Sequence, residues 1–182
     1  MARALLIRHC QSTGQAPEAP LSDLGRRQAE DLVPWLQARG VDHVVSSPYA
    51  RAVATLRPFS DATGLPLHLD DRLHERVIAP EPIDHWREVI KRSFVDPAHH
   101  EPGGESGQDV LERATSAIVS VLDAGHTLPA LASHGHLLAL FLQSIDRSFG
   151  FAEHAAMTNP DAYLLERTPE GLRFERVWSD GA

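Results

Sequence analysis

The sequence predicts an α/β protein, a three-layer α/β/α sandwich around a mostly parallel sheet, and three observations carry that prediction. Short aliphatic runs alternate along the chain with stretches of ten residues or more that repeat at helical spacing. Runs such as Leu5-Leu6-Ile7 and residues 128–132 are apolar continuously instead of at every second position, as strands covered on both faces are. The length of 182 residues, with 42% hydrophobic and 23% charged residues, suits one domain with a substantial core over residues 1–182.

The elements follow in order. Leu5-Leu6-Ile7 reads as a buried strand that breaks into Arg8-His9-Cys10, and residues 11–20, polar with two prolines, read as a loop over its end. Ser22 caps a helix whose apolar positions Leu24, Ala29, Leu32, Val33 and Leu36 run to Gly40, with Pro34 as a blemish. Residues 41–47 form a second strand. Ser47-Pro48 then reads as a helix start, Ser as cap and Pro in the first turn, and the helix runs through Arg51 and Thr55 toward Gly64 despite Pro58.

Residues 65–69 make a short third strand, and a helix is expected within 80–95 around Trp86, Val89 and Ile90. Residues 96–107 are a Pro/Gly/His-rich loop. Ser106 and Asp109 form a capping box ahead of the stripe Val110, Leu111, Ala114, Ala117, Ile118, Val121 and Leu122, closed by Gly125. A fourth strand over 128–132 leads into Ser133-His134-Gly135-His136 and an apolar helix over 137–145. Residues 162–166 and 172–178 read as closing strands joined by the turn 168–171.

Composition narrows the function. A net charge of −8 argues against non-specific nucleic-acid binding, which relies on clustered cations. The single cysteine, Cys10, excludes an intramolecular disulfide and a cysteine-built zinc site, and points to a reducing compartment. The N-terminal apolar run is too short for a signal peptide, and no stretch approaches the roughly 20 apolar residues of a membrane span. The expectation is a cytoplasmic protein, complete from its first residue, with no membrane partner.

Arg8-His9, Arg51 and His134 each follow a predicted strand at or near its carboxyl end, and in a parallel sheet those ends share one edge. Two Arg and two His meeting there describe a pocket for a dianion. Arg forks bind phosphate oxygens bidentately and keep their charge.

These residues sit in motifs. Leu6-Ile7-Arg8-His9 with Ser12, the run 21–29, Ser46-Ser47-Pro48-Tyr49-Ala50-Arg51, Leu73-His74-Glu75, Gly103-Gly104-Glu105-Ser106 and Ser133-His134-Gly135-His136 stand in the order seen in one family. The chain resembles the histidine phosphatase superfamily, also called phosphoglycerate mutase-like, and the carboxy-terminal part resembles it more loosely.

The resemblance implies a metal-independent phosphomonoesterase acting on a small phosphorylated metabolite, with no cofactor. His9 would be the nucleophile that forms a phosphohistidine, and Glu75 the proton donor and acceptor. Arg8, Arg51 and His134 would bind the phosphoryl oxygens, joined by Ser12 and by Gln15, which stands where the family usually has Asn. Residues 76–107 would form a lid that selects the substrate, with His85, Trp86 and Arg87 as candidate contacts. His99 and His100 read as loop residues, and His136 as a partner behind the site.

Cys10 occupies a position where the family has Gly. A backbone there with φ > 0 would cost a non-Gly residue on the order of 1–2 kcal/mol and would weaken the site. A Cys-dependent phosphatase is excluded, because that chemistry needs Arg where Ala16 stands. Two readings remain beside hydrolysis: mutase-type phosphoryl transfer, disfavoured because the lid segment is short, and a weakened phosphate-binding module. The sequence leaves the oligomeric state open.

Overall fold

The computed structural model describes residues 2–178. Six strands, β1 (Arg3–Arg8), β2 (His43–Ser46), β3 (Leu67–Leu69), β4 (Pro129–Ser133), β5 (Asp161–Thr168) and β6 (Gly171–Arg176), form one sheet in the order β3-β2-β4-β1-β5-β6. β1 to β4 pair in parallel, and β5 runs antiparallel to β1 and β6.

Among the described residues six α-helices accompany the sheet: α1 (Asp23–Ala38), α2 (Ala50–Thr63), α3 (Trp86–Ser93), α4 (Gly107–Asp123), α5 (Gly135–Ile145) and α6 (Phe151–Ala156). Side chains of β1 point alternately to two cores. Leu5 and Ile7 pack with Leu32, Leu36, Leu56 and Phe59 of α1 and α2. Ala4 and Leu6 pack with Val110, Ile118, Leu138 and Phe141 of α4 and α5. The strand buries both faces because a helical layer covers each, which is why its apolar run is continuous. Among the described residues no helix is long and apolar enough to cross a membrane.

The predicted caps form. Ser22 accepts from the Gly25 N–H, and Ser106 and Asp109 bond reciprocally at the start of α4. Pro34 lies within α1 on an exposed position, where water can take the carbonyl that loses its N–H partner.

Several boundaries differ from expectation. α2 starts at Ala50, not at Ser47, and its N-cap Tyr49 makes no side-chain cap bond. α5 starts at Gly135, two residues earlier than its apolar stripe, and β3 is limited to three residues. A 3₁₀ turn at Asp71–Leu73 and the six-residue α6 were not expected, since neither is long enough to show a period.

Register places the site. Arg8 lies opposite Ser133, and Ser46 opposite Ala132, so β1, β2 and β4 end in one row. The row extends one residue further: His9 N–H donates to the Ser133 carbonyl at 3.0 Å, and Ser47 N–H to the Ala132 carbonyl at 2.9 Å.

Candidate active site

His9 leaves β1 buried, with its ring held from both sides. Nδ1 lies 2.7 Å from the Cys10 carbonyl, which can only accept, so Nδ1 carries the hydrogen. Nε2 is therefore the bare nitrogen, and it accepts from Arg51 Nε–H at 3.2 Å. Burial, then the charges of Arg51 and Arg8, push the His9 pKa down to about 3. A neutral imidazole with a lone pair on Nε2 is a nucleophile ready to attack.

Arg51 comes from the first turn of α2 and is fully buried. Its Nη1 donates to the carbonyls of Gln15 and Ala16 at 3.0 and 2.9 Å, which fastens the 11–20 loop over the strand ends. The Gln15 side chain itself is exposed, so the structure uses this residue through its backbone. Ser12 Oγ donates to the Gly14 carbonyl at 2.9 Å and shapes the same loop.

Arg8 donates from Nη1 to the Met157 carbonyl at 2.8 Å, while its Nε is buried with no partner among the described residues. A Cβ on Gly135 would lie 2.9 Å from that Nε and 3.1 Å from Cζ. Only glycine at the first turn of α5 leaves room for the guanidinium. Burial lowers the pKa of both Arg8 and Arg51, and Glu75 opposes that lowering in each.

His134, at the end of β4, is completely buried. Its Nε2 lies 2.7 Å from Ser47 Oγ, and its ring meets that of His9 edge-on at 5.2 Å. Burial, with His9 and Arg51 next, holds its pKa well below the usual histidine range. Ser47 is thus a site residue that sequence reading took for a helix cap. Its Oγ does accept the Tyr49 N–H, at 3.3 Å, but α2 begins only after Tyr49.

Glu75 is held by backbone. Oε1 accepts from Arg76 and Leu137 N–H at 2.8 and 3.0 Å, and Oε2 accepts from His136 N–H at 3.1 Å. The carboxylate therefore satisfies free N–H groups at the start of α5, which explains the early start of that helix. Oε2 keeps a lone pair beyond its one bond.

The loop that carries Glu75 is fixed in turn by Glu105, from the Gly-Glu-Ser turn. Glu105 accepts from Arg113 through both oxygens at 2.8 and 2.9 Å and from Val77 N–H at 2.8 Å. Burial alone would raise its pKa, yet hydrogen bonds from His74, Arg113 and Val77 hold it at about 2. Arg113 also donates to the Arg72 and His74 carbonyls, at 2.8 and 2.7 Å. Glu105→Ala is expected to cost about 2 kcal/mol, the scale of hydrogen bonds to a charged group lost at a partly buried site. Urea denaturation checks this, and an unchanged midpoint would contradict it.

His85, Trp86 and Arg87 lie exposed at the start of α3. His85 Nε2 is 3.5 Å from Glu101, and Arg87 stacks over Trp86 at 5.1 Å. No recorded hydrogen bond, ion pair or ring contact joins them to His9, Arg8, Arg51, Glu75 or His134. The buried residues of α3 are Val89, Ile90 and Ser93, and Ser93 Oγ reaches His136 Nε2 at 2.9 Å. His99 sits 3.6 Å from Glu101, and His100 is exposed.

Cys10 has no positive φ, so the backbone cost that would attach to a non-Gly residue there does not arise. The thiol is buried, and burial pushes its pKa up to about 12. Such a thiol is inert. Asn159 and Gln28 were missed as site neighbours: Asn159 Nδ2 donates to the His9 carbonyl at 2.7 Å, and Gln28 Nε2 to the Asn159 carbonyl at 2.5 Å. Among the described residues no three His, Cys, Asp or Glu side chains are grouped as a metal ion would need.

A pH dependence follows from the buried imidazoles. His9, His134, His136 and His154 all have folded pKa values below their unfolded value of 6.5. Between pH 6.5 and about 3 the unfolded chain binds protons that the folded His9 refuses, so stability is present above 6.5 and lost as pH falls. Melting temperature is expected to drop steadily over that window. A flat profile from pH 7 to 4.5 would show that these rings are not held neutral.

Two cationic forks, two neutral imidazoles and one backbone-held carboxylate gather at the end of the parallel sheet, an arrangement that can hold a phosphoryl group. The model of the histidine phosphatase superfamily (branch 1) matches residues 4–180, and the chain belongs to that family of phosphatase and mutase-like enzymes. A Yersinia pestis (strain Pestoides F) relative, named "Probable phosphoglycerate mutase GpmB", is 29% identical over 174 residues, covering 85% of this chain and 78% of its own. Mycobacterial glucosyl-3-phosphoglycerate phosphatase shares the fold at a TM-score of 0.77 and 24% identity, with 100% of both chains covered. Bacillus stearothermophilus YhfR does so at 0.78 and 19%, with 96% of each chain covered.

Proposed function

We propose that the protein is a metal-independent phosphomonoesterase that hydrolyses a small phosphorylated metabolite through a phosphohistidine at His9 Nε2. The observation that carries this is the His9 ring itself, with its hydrogen on Nδ1 and its Nε2 lone pair beside Arg51. A phosphoryl oxygen entering the pocket competes for the Arg51 Nε–H and frees that lone pair. Nε2 attacks phosphorus and the ester P–O bond breaks, while Glu75, entering the cycle protonated on Oε2 at the position its one backbone bond leaves free, gives that proton to the departing oxygen and becomes the carboxylate. Glu75 then takes a proton from water, the hydroxide displaces His9, and phosphate leaves with the imidazole neutral again. Arg8, Arg51 and His134 stabilise the charge on the phosphoryl oxygens throughout.

Residues 76–107 are assigned the choice of leaving group. Their two ends are joined at the base, where Glu105 N–H donates to the Val77 carbonyl at 2.7 Å and Arg76 Nε to the Glu105 carbonyl at 2.9 Å. The relatives named as mutases favour a second reading, return of the phosphoryl group to a bound intermediate. Retention of phosphohistidine requires exclusion of water, and one short segment is available to supply it. A panel of phosphorylated metabolites, including 2- and 3-phosphoglycerate, assayed for both free phosphate and isomer, separates the two. Release of phosphate is expected, and isomer without phosphate would establish the mutase.

A further inference from the structure

We propose that Ser47 is a positioning residue: its hydroxyl donates to His134 Nε2, fixing the hydrogen of that ring on Nδ1 and making His134 a neutral hydrogen-bond donor to the phosphoryl group. This rests on the phosphoryl-transfer reading above and adds the part that decides what His134 offers.

The argument is one of hydrogen accounting. Ser47 Oγ makes two recorded contacts. It accepts from Tyr49 N–H at 3.3 Å, and it lies 2.7 Å from His134 Nε2. The hydroxyl hydrogen has one acceptor within reach among the described residues, and that acceptor is Nε2. Both residues are completely buried, so water cannot take the hydrogen instead. In the reverse arrangement Nε2–H would donate to Oγ, leaving a buried O–H without an acceptor at a cost of about 1–3 kcal/mol.

The other nitrogen points to the same answer. Among the described residues, His134 Nδ1 is buried and has no hydrogen-bond partner. The charged and titratable groups that act on this ring are His9, Arg51, His74 and Arg113. A bare lone pair on Nδ1 would repel phosphoryl oxygens drawn in by the Arg8 and Arg51 guanidiniums, whereas an N–H binds them. The two histidines are thus locked in one tautomer for opposite purposes. The Cys10 carbonyl makes His9 present an electron pair, and the Ser47 hydroxyl makes His134 present a hydrogen.

The test is nitrogen NMR of the full chain labelled with 15N-histidine, where two-bond proton–nitrogen correlations report which ring nitrogen carries hydrogen. Wild-type protein is expected to show His134 protonated on Nδ1, and Ser47→Ala a mixture of tautomers. Ser47→Ala should also weaken inhibition by inorganic phosphate and lower kcat by about 10- to 100-fold, the scale on which mis-set ring partners and lost oxyanion donors act. Ser47→Thr, which keeps the hydroxyl, should retain the wild-type tautomer and most of the rate.

Hydrogen on His134 Nε2 in the wild type overturns the proposal. So does a Ser47→Ala variant with unchanged tautomer and phosphate affinity, even if less stable, since that is what a merely structural serine would show. Should Ser47→Ala fail to fold, the wild-type and Ser47→Thr spectra decide the question alone. If the tautomer shifts as stated but no phosphate ester is ever turned over, the phosphatase reading falls and the role of Ser47 stands.

Discussion

His9→Ala is expected to reduce turnover of a chromogenic phosphate ester on the order of 10⁴-fold or more, because the covalent route is removed and only binding and electrostatic terms survive. The chain should remain folded. His9 contributes its backbone N–H to the Ser133 carbonyl and its carbonyl to Asn159 whatever the side chain is. Loss of the ring does free Arg51 Nε, so phosphate affinity should persist or rise slightly as turnover disappears. Protein quenched with detergent and digested at alkaline pH should carry an acid-labile, base-stable phosphate on His9 in the wild type and none in the variant. Equal rates in the two proteins would end the phosphohistidine proposal.

Arg51→Ala is the second large effect, and it should act on catalysis and stability together. The guanidinium is fully buried and makes three hydrogen bonds, one to the nucleophilic ring and two to carbonyls of the 11–20 loop. Removing it takes away a phosphoryl clamp, for which about 10²- to 10³-fold in kcat is the usual scale. It also leaves the Gln15 and Ala16 carbonyls without their donor, for a further cost of about 2–3 kcal/mol. Arg51→Lys keeps the charge but not the fork, and it cannot reach His9 Nε2 and both carbonyls at once. Kinetics and urea melts on the same samples check both halves. A Lys variant within tenfold of wild type would show that charge alone suffices and that the fork geometry is irrelevant.

Much of the fold could be read locally. The continuous apolar runs of β1 and β4 identified strands covered on both faces, and the apolar stripe of α4 with its Ser106–Asp109 box identified the longest helix with its start. α6 escaped because six residues are under two turns and show no period. Ser47 was misread because Ser-Pro is a genuine helix-start signal. The chain bends over Pro48 and Tyr49 before the helix begins at Ala50, and the hydroxyl lies against a histidine 87 positions away. Which face of α3 is buried follows from its packing, which buries Val89, Ile90 and Ser93 and leaves His85, Trp86 and Arg87 exposed.

The sequence by itself determined the α/β class, the strand ends that carry Arg8, His9 and His134, and the motif order that marks the family. Those are statements about residue type at short spacing, where side-chain period and cap chemistry act over a few positions. Tertiary structure decided which nitrogen of His9 is bare, what holds Glu75, what Ser47 touches and that Cys10 has no positive φ. Each of those depends on a hydrogen bond, a backbone angle or a burial set when the strand ends meet. Glu75 finds two of its three N–H donors 61 and 62 residues away, and Arg51 its imidazole 42 away. Nothing local in the chain encodes such distances; the parallel register of β1, β2 and β4 does.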